Sequence, residues 1–404
     1  MVIGIVGGGA SGMAAALAAA ENSNNEVILW ERQARLGRKL LATGNGRCNL
    51  TNLNALQGGY HGENASFATP ALEDFDPERT LLWFRQMGLF TVAEPSGRVY
   101  PYSDQANSVV DVLRYALEKP NIRCVTGCEI IKIKFQGGTF VVSSAEENFV
   151  CHKLIVACGG LAGSKLGGSM AGYKLLGKLG HRTTKLRPAL VQLKSPWGGI
   201  AGLKGVRANC NAGIYRDGVL HAQSNGEVQF TEYGLSGPVI FEVSRDACQG
   251  GGQWTCILDM LPHTAEADLR EELAARRSRG LPVEELLTGI LHNRLGRVLT
   301  KAAGIKGSGS AKDLTDAELS AVSGIVKRFE LPLSEPMGMD SAQVTAGGVI
   351  TADFDPHTME SRLVPGLYAC GEILDIDGDC GGYNLQWAWS SGYMAGKHAG
   401  KETV

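Results

Sequence analysis

The stretch MVIGIVGGGASGMAAALAAAE, residues 1–21, decides the fold of this chain. Its apolar start predicts a β-strand and its alanine-rich end predicts an α-helix. Between them Gly7, Gly9 and Gly12 have the spacing GxGxxG. Gly7 permits a sharp turn, Gly9 leaves room beside the backbone, and Gly12 lets helix and strand pack closely. Because the start of a helix offers free N–H groups to anions, the stretch predicts a site for the diphosphate of a dinucleotide.

A second apolar strand, Val27–Trp30, leads directly into Glu31. In dinucleotide-binding units an acidic residue at this place accepts hydrogen bonds from a ribose. The order strand, glycines, helix, strand and acid is much more specific than the glycines alone. The alternative is a tight strand-to-helix turn that binds nothing.

The composition is typical of a globular protein that acts on small molecules. A chain of 404 residues is too long for one compact core, which predicts more than one domain. Its net charge of −2 gives no indication of a large basic surface for nucleic acid or an anionic membrane. No apolar run reaches the ~18 residues of a membrane span, and no signal peptide is recognisable. The ten cysteines lack the spacing of a zinc site, so we expect free thiols, no metal and a cytoplasmic location.

The sequence pattern changes along the chain and then returns to its first form. Alternating strand and helix signals give way to short strands with turns, then to helical periodicity, and finally to strand and helix again. This order predicts an α/β fold whose doubly wound domain is interrupted by insertions. We assign the doubly wound domain to residues 1–188 and 346–404, a β-barrel to 189–262 and 331–345, and a helical subdomain to 263–330.

Several elements are predicted within these segments. Asp217-Gly218 is a strong hairpin signal, and Thr315 with Glu318 forms a capping box at the start of a helix. A stripe of small residues on the last helix, including Ala388 and Gly392, predicts close packing against a neighbour. The expected helices cover residues 266–277, 283–303, 317–328 and 384–398, and a buried strand covers 154–158.

Two further stretches carry candidate binding chemistry. Residues 36–52, LGRKLLATGNGRCNLTN, combine glycines, amides and cations that suit a loop around a phosphate and a polar ring. Residues 371–388, GEILDIDGDCGGYNLQWA, place glycines before a helix, whose N-terminus attracts negative charge. The alternative for residues 36–52 is a well-capped surface loop, and for residues 371–388 it is a calcium site. The four acids at 372, 375, 377 and 379 lack the calcium-binding pattern of an EF-hand.

These stretches, together with FTEYGLSGP at 230–238, resemble a bacterial family of FAD-dependent oxidoreductases. That family includes aminoacetone oxidase and 3-dehydro-bile-acid delta-4,6-reductase. The resemblance extends over the whole chain. It implies a glutathione-reductase-type, doubly wound FAD-binding domain with an inserted β-barrel and a small helical subdomain.

The resemblance also implies which residues bind FAD. Cys158 stands where related flavoproteins often have threonine, so one hydrogen bond to the cofactor is in doubt. The implied residues are Gly7, Gly9, Ala10, Ser11 and Gly12 for the diphosphate turn; Glu31 and Arg32 for the ribose; Lys39, Thr43, Gly44, Asn45, Gly46, Arg47, Cys48 and Asn49 around the cofactor; Ile130 beside the adenine; Ala157, Cys158 and Gly159 along its path; and Gly371, Glu372, Asp375, Gly382, Tyr383, Asn384 and Leu385 over the ribitol and flavin.

The catalytic residue is not identified by the sequence, because a flavin carries hydride transfer itself. Glu232 and Tyr233 are weak candidates for a proton donor or substrate anchor, with a capped turn as the alternative. Tyr383 either contacts the flavin ring or packs the last helix. Redox-active cysteines are disfavoured, because no closely spaced pair lies near the glycine loops.

The leading functional hypothesis is hydride transfer between FAD and a small or medium organic molecule. Reduction of a conjugated C=C bond with NADH or NADPH as a transient donor is the first form, and an oxygen-using amine oxidase is the alternative. An RNA-directed flavoprotein and a non-catalytic flavin-binding protein are alternatives of another class. We expect no nucleic acid and no membrane as partners, and the sequence does not indicate an oligomeric state.

Overall fold

A computed structural model describes residues 1–401 of the chain. They form two compact units, one made of Met1–Arg187 with the chain from Gln343 onward, the other of Pro188–Ala342. The strands are β1 (Val2–Val6), β2 (Glu26–Glu31), β3 (Thr51–Asn52), β4 (Tyr60–His61), β5 (Thr91–Ala93), β6 (Arg98–Pro101), β7 (Ile122–Thr126), β8 (Lys132–Gln136), β9 (Thr139–Ser143), β10 (Asn148–Cys151), β11 (Lys153–Val156), β12 (Arg187–Ala189), β13 (Leu193–Lys194), β14 (Arg207–Arg216), β15 (Val219–Phe230), β16 (Gly234–Ser236), β17 (Trp254–Asp259), β18 (Phe329–Pro332), β19 (Val344–Ala346), β20 (Leu367–Ala369) and β21 (Asp377–Gly378). The α-helices are α1 (Ala10–Ala19), α2 (Thr69–Asp74), α3 (Pro77–Gln86), α4 (Ala106–Ala116), α5 (Ala171–Gly177), α6 (Pro238–Ala247), α7 (Glu266–Arg279), α8 (Asn293–Ala302), α9 (Asp316–Lys327) and α10 (Tyr383–Ala399).

The first unit is built on a parallel sheet of five strands in the order β20-β11-β1-β2-β7. Ile5 of the central strand lies opposite Ile155 on one side and Leu29 on the other, and all three are fully buried. The carboxyl ends of parallel strands lie along one edge of a sheet, which is where ligands bind in such folds. The predicted α/β doubly wound architecture is confirmed.

Helix α10, near the end of the chain, packs on α1 at its beginning. A Cβ atom added at Gly392 would lie 2.3 Å from the carbonyl oxygen of Ser11, and one at Gly396 would lie 2.2 Å from that of Ala15. Only glycine permits this approach, because any side chain at these two positions would overlap the backbone of α1. The small-residue stripe predicted on α10 therefore has α1 as its neighbour.

The second unit contains an antiparallel sheet of six strands in the order β13-β16-β15-β14-β17-β18. The hairpin between β14 and β15 turns at Asp217 and Gly218, as predicted. Beyond β18 the backbone returns to β13, where Ser334 N donates to Lys194 O at 3.0 Å. The sheet thus curls into a half-barrel.

Helices α7, α8 and α9 share one hydrophobic core with this sheet, which includes Leu273, Leu299 and Val322. The capping box at Thr315 and Glu318 is present. The predicted helix over 283–303 was wrong in its first half. Gly289 has φ +81°, a left-handed conformation that stops a helix, and α8 begins only at Asn293. None of the helices in residues 1–401 is both long and apolar enough to span a membrane.

Candidate cofactor site

The glycine loop between β1 and α1 has the geometry of an anion site. Gly7 has φ +113°, and a Cβ atom there would lie 2.4 Å from the carbonyl oxygen of Ala157. Gly12 is required for close packing, because its Cβ would lie 1.8 Å from the oxygen of Gly7. Gly9 begins α1 without a side-chain cap, and nothing lies within 4 Å of where its Cβ would be. The N–H groups at the start of α1 therefore receive no side-chain cap from Gly9 and are available to an anion.

Glu31, which follows β2, and Ser11, on the first turn of α1, lie next to the glycine loop. Glu31 accepts hydrogen bonds from Gly8 N at 2.8 Å and from Gln33 N at 2.7 Å. Its carboxylate is thereby held beside the glycine loop with acceptor capacity left for a hydroxyl. The Ser11 hydroxyl, on the first turn of α1 after Ala10, lies 3.5 Å from Cys370 O. Arg32 donates to Gly167 O at 2.6 Å.

The segment after β11 borders the same loop. Ala157 N donates to Val6 O at 2.8 Å, and Gly159 has φ +69° with open space where a Cβ would be. The Cys158 thiol lies 3.4 Å from Val6 O, and burial raises its pKa to about 12. A neutral thiol is a weak hydrogen-bond donor, so it provides less here than threonine would. Ile130 is buried in the same unit.

The loop over residues 36–52 is anchored by the last helix. Trp389 donates to Leu50 O at 2.9 Å, and Asn52 donates to Gly381 O at 2.9 Å. Within the loop Gly44, Asn45 and Cys48 have positive φ values of 56°, 57° and 61°. Gly46 is also left-handed, and Thr43 donates through its hydroxyl to Leu40 O at 2.7 Å. The structure therefore brings together the two motif stretches, although the bonded residues Asn52 and Gly381 are 329 positions apart in the sequence.

Gln386, which the sequence analysis missed, organises this junction. It is fully buried and accepts a hydrogen bond from the Thr51 hydroxyl. Its amide nitrogen lies 2.9 Å from both Phe75 O and the Thr80 hydroxyl. A glutamine within a helix gives no signal of this kind in the sequence, because its partners come from three distant segments.

Lys39 and Glu372 form an ion pair of 2.8 Å at the same edge. The second oxygen of Glu372 accepts from Thr345 N at 2.9 Å, and the Thr345 hydroxyl accepts from the N–H groups of Leu161 and Ala162, both at 2.9 Å. Thr345 lies in β19, outside every motif, and was also missed. Thr345 thus connects the segment after β11, through its hydroxyl, to the acid after β20, through its backbone N–H.

The segment before α10 is held by hydrogen bonds of its own. Asp375 is buried and accepts from Glu63 N at 3.1 Å. Asn384 accepts from Gly378 N at 2.8 Å and donates to Gly378 O at 2.7 Å, while Tyr383 O accepts from the Tyr60 hydroxyl at 3.2 Å. Gly371 and Gly382 are left-handed, with φ of +77° and +103°. Leu385, one turn into α10, is partly buried against the core of the unit.

Some predicted residues have partners that account for them without a ligand. Arg47 pairs with Asp104 and lies 3.4 Å from Glu94, above the ring of Tyr100. In the second unit Glu232 is exposed and pairs with Lys204 at 2.6 Å, which holds the pKa of the Glu232 carboxyl below its usual value.

Tyr233 lies in the same turn, where the Thr231 hydroxyl accepts from Gly234 N at 3.0 Å. The turn after β15 is thus capped as the alternative interpretation expected. Within residues 1–401 no group of three or more His, Cys, Asp or Glu side chains could hold a metal ion.

The residues of this edge fit an FAD molecule. Open backbone at Gly9 and Gly159 leaves room for phosphates, and Glu31 can accept from a ribose. Asn49 is 9% exposed, and its side-chain oxygen is buried without a hydrogen-bond partner among the described residues. Asn49 packs beside Gly44 within the loop over residues 36–52. A buried acceptor without a donor in this loop is what a cofactor site with a missing donor would contain.

Comparison with known proteins agrees with this geometry. A family model described as HI0933-like protein Rossmann domain matches residues 1–398. The chain is 38% identical over 403 residues to 3-dehydro-bile acid delta(4,6)-reductase from Clostridium scindens, covering 98% of each protein. It is 31% identical over 399 residues to ribosomal RNA dihydrouridine synthase from Escherichia coli, covering 96% of this chain and 95% of the relative.

A solved structure provides a fold comparison. The 3-ketosteroid delta1-dehydrogenase from Sterolibacterium denitrificans aligns over 98% of this chain and 99% of its own, with a TM-score of 0.50 and 12% identity. This likeness concerns the fold. The chain belongs to the HI0933-like Rossmann-domain family, and it is an oxidoreductase of the FAD-binding type.

Proposed function

We propose that the chain is an FAD-dependent reductase that saturates a C=C bond conjugated to a carbonyl group, with NADH or NADPH as electron donor. The observation that supports this most is that residues 36–52 and 371–388 meet. The ion pair of Lys39 with Glu372 and the hydrogen bond from Thr51 to Gln386 join these two stretches, which together we call the cradle. Two stretches joined in this way would hold FAD from both sides. The 38% identity to a bile acid reductase favours a steroid-like substrate among organic molecules.

The chain's own residues would bind and orient the reactants. The N–H groups at the start of α1 would bind the FAD diphosphate, Glu31 would accept from the ribose, and Asn49 would accept from a polar group of the cofactor. The start of α10 would place a positive helix end beside the flavin. FAD supplies hydride transfer when bound.

Anaerobic stopped-flow spectroscopy tests the donor and the reaction type. We expect NADH or NADPH to bleach the flavin absorbance rapidly, and an α,β-unsaturated 3-oxo steroid to restore it. An enzyme that is inert to both nucleotides but bleached by an aminoketone would be an oxidase instead. Bound FAD without reduction by any donor would indicate a non-catalytic flavin protein.

RNA is a second candidate substrate because two related proteins are ribosomal RNA dihydrouridine synthases, at 31% and 27% identity. Making dihydrouridine from uridine also saturates a C=C bond conjugated to a carbonyl, so the chemistry is shared. The net charge of −2 stands against a large phosphate-binding surface. Retention of ribosomal RNA in a filter-binding assay at low salt, followed by release at high salt, would favour RNA.

We also propose a cytoplasmic location and the three domains predicted from the sequence, which are an FAD-binding domain of residues 1–188 and 346–404, a β-barrel of 189–262 and 331–345, and a helical subdomain of 263–330. All ten cysteines are free, which suits a reducing compartment.

A further inference from the structure

Tyr173 lies on α5 with its hydroxyl buried and without a partner. The residue is 3% exposed, and the hydroxyl finds no hydrogen-bond partner among residues 1–401. Buried hydroxyls are nearly always paired, because burial without a hydrogen bond costs the solvation of the group. An orphan of this kind indicates either a structural defect or a partner that is not part of the chain.

Helix α5 packs directly on the cofactor edge of the first unit. A Cβ atom at Gly172, the residue before Tyr173, would lie 2.6 Å from Cys158 Cβ and 2.9 Å from Ile373 Cδ1. These two neighbours belong to the segments that follow β11 and β20. Burial, followed by the nearby charges of Glu372 and Asp375, raises the pKa of the Tyr173 hydroxyl. The group therefore stays protonated and can donate a hydrogen bond.

Among the described residues neither nearby carboxylate accepts a hydrogen bond from this hydroxyl, and each already has other donors. Glu372 is occupied by Lys39 on one oxygen and by Thr345 N on the other. Asp375 accepts from Glu63 N at 3.1 Å. Two carboxylates near the hydroxyl also disfavour a phosphate there, because like charges repel. The acceptor that fits is a neutral oxygen, such as a hydroxyl or a ring carbonyl.

We propose that Tyr173 is a cofactor-positioning residue whose hydroxyl donates a hydrogen bond to a neutral oxygen of FAD. This inference rests on the proposed function, because it needs FAD in the cradle. It adds a residue that lies outside the glycine loop and both motif stretches. It also explains why a large polar side chain is buried on a short helix beside Cys158.

Tyr368 provides a matched control. It is 2% exposed and belongs to the same unit, its hydroxyl is not among the buried polar atoms left without a partner, and burial followed by the Glu360 carboxylate raises its pKa. The two tyrosines thus differ in whether the protein itself satisfies the hydroxyl. Tyr368→Phe removes a bond that the fold already has, whereas Tyr173→Phe removes a bond that only the cofactor would complete.

The experiment strips FAD from the wild-type holoprotein and both variants and titrates it back, with flavin fluorescence as the readout and thermal unfolding of each apoprotein alongside. We expect Tyr173→Phe to raise the Kd for FAD about fivefold to tenfold without lowering the apoprotein melting temperature. Tyr368→Phe should lower the melting temperature and leave the Kd unchanged. An unchanged Kd in Tyr173→Phe with a lower melting temperature would overturn the inference. Failure of the wild type to bind FAD would instead overturn the proposed function.

Discussion

The Lys39 ammonium group lies 2.8 Å from the Glu372 carboxylate, joining segments 333 residues apart at the carboxyl edge of the parallel sheet. The two side chains are 31% and 20% exposed, so solvent screens the pair only in part. Since Glu372 also accepts from Thr345 N, the pair belongs to a network that includes β19. The two ends of the chain are thus held together by charge as well as by the packing of α1 on α10.

Breaking this pair should loosen the cradle. Lys39→Met leaves the partly buried Glu372 carboxylate without its counter-charge, and we expect the free energy of unfolding to fall by about 1 kcal/mol, with weaker FAD binding. Urea unfolding of the single variants and of Lys39→Met/Glu372→Gln gives the coupling energy. The exposed Lys204 and Glu232 pair is the control, and Lys204→Met should leave the unfolding midpoint unchanged. Equal effects of the two lysine changes would contradict a special role for Lys39.

The contact between α1 and α10 should not tolerate a methyl group. At Gly392 an alanine Cβ would lie 2.3 Å from Ser11 O, so Gly392→Ala should destabilise the fold by about 1–3 kcal/mol and reduce FAD retention. Gly324 of α9 has open space around its Cβ position, and Gly324→Ala should stabilise by about 0.5–1 kcal/mol. Chemical denaturation followed by circular dichroism measures both. Equal stability of the two variants would show that the helices are farther apart.

Glu232 is not expected to act as a proton donor. Its exposed carboxylate pairs with Lys204, which lowers the pKa and keeps the group ionised at neutral pH. Steady-state kinetics of Glu232→Gln should therefore give a kcat and a pH profile like those of the wild type. A loss of kcat of about 100-fold, with the acidic limb of the profile altered, would restore Glu232 as a catalytic acid.

The buried thiols should make the protein sensitive to alkali. Burial raises the pKa of Cys48 and of Cys370 from 9.0 to about 12. In the unfolded chain they ionise near 9, so the stability that they contribute is complete below pH 9 and is lost as the pH rises towards 12. We expect the urea midpoint to fall over this range.

Alkylation by iodoacetamide at pH 8 checks the same thiols. The exposed Cys124 should be labelled slowly, because its pKa is also raised, whereas Cys48 and Cys370 should react only after unfolding. Mass spectrometry locates the label. Rapid labelling of Cys370 in the native protein would show a thiolate near the cradle and reopen thiol chemistry.

Local patterns were sufficient for much of this architecture. The run over residues 1–21 indicated strand, turn and helix, because the conformational freedom of Gly7 and the small size of Gly12 act between near neighbours. The hairpin at Asp217 and the capping box at Thr315 were also predictable for that reason. The helix expected over 283–303 failed because hydrophobic periodicity does not reveal that Gly289 takes a left-handed conformation.

The sequence by itself determined the class of fold and the kind of ligand, and it predicted three stretches for the ligand site, since strand, turn and helix signals depend on short-range backbone geometry. Only the tertiary structure decided which side chains meet. Gln386 lies in the stretch 371–388 but was not singled out there, and Thr345 lies in no motif; their roles come from partners contributed by distant segments of the sheet and helices. The structure also decided that Arg47 and Glu232 already have ionic partners and that the Tyr173 hydroxyl has none within residues 1–401, because burial and pairing depend on the packed chain.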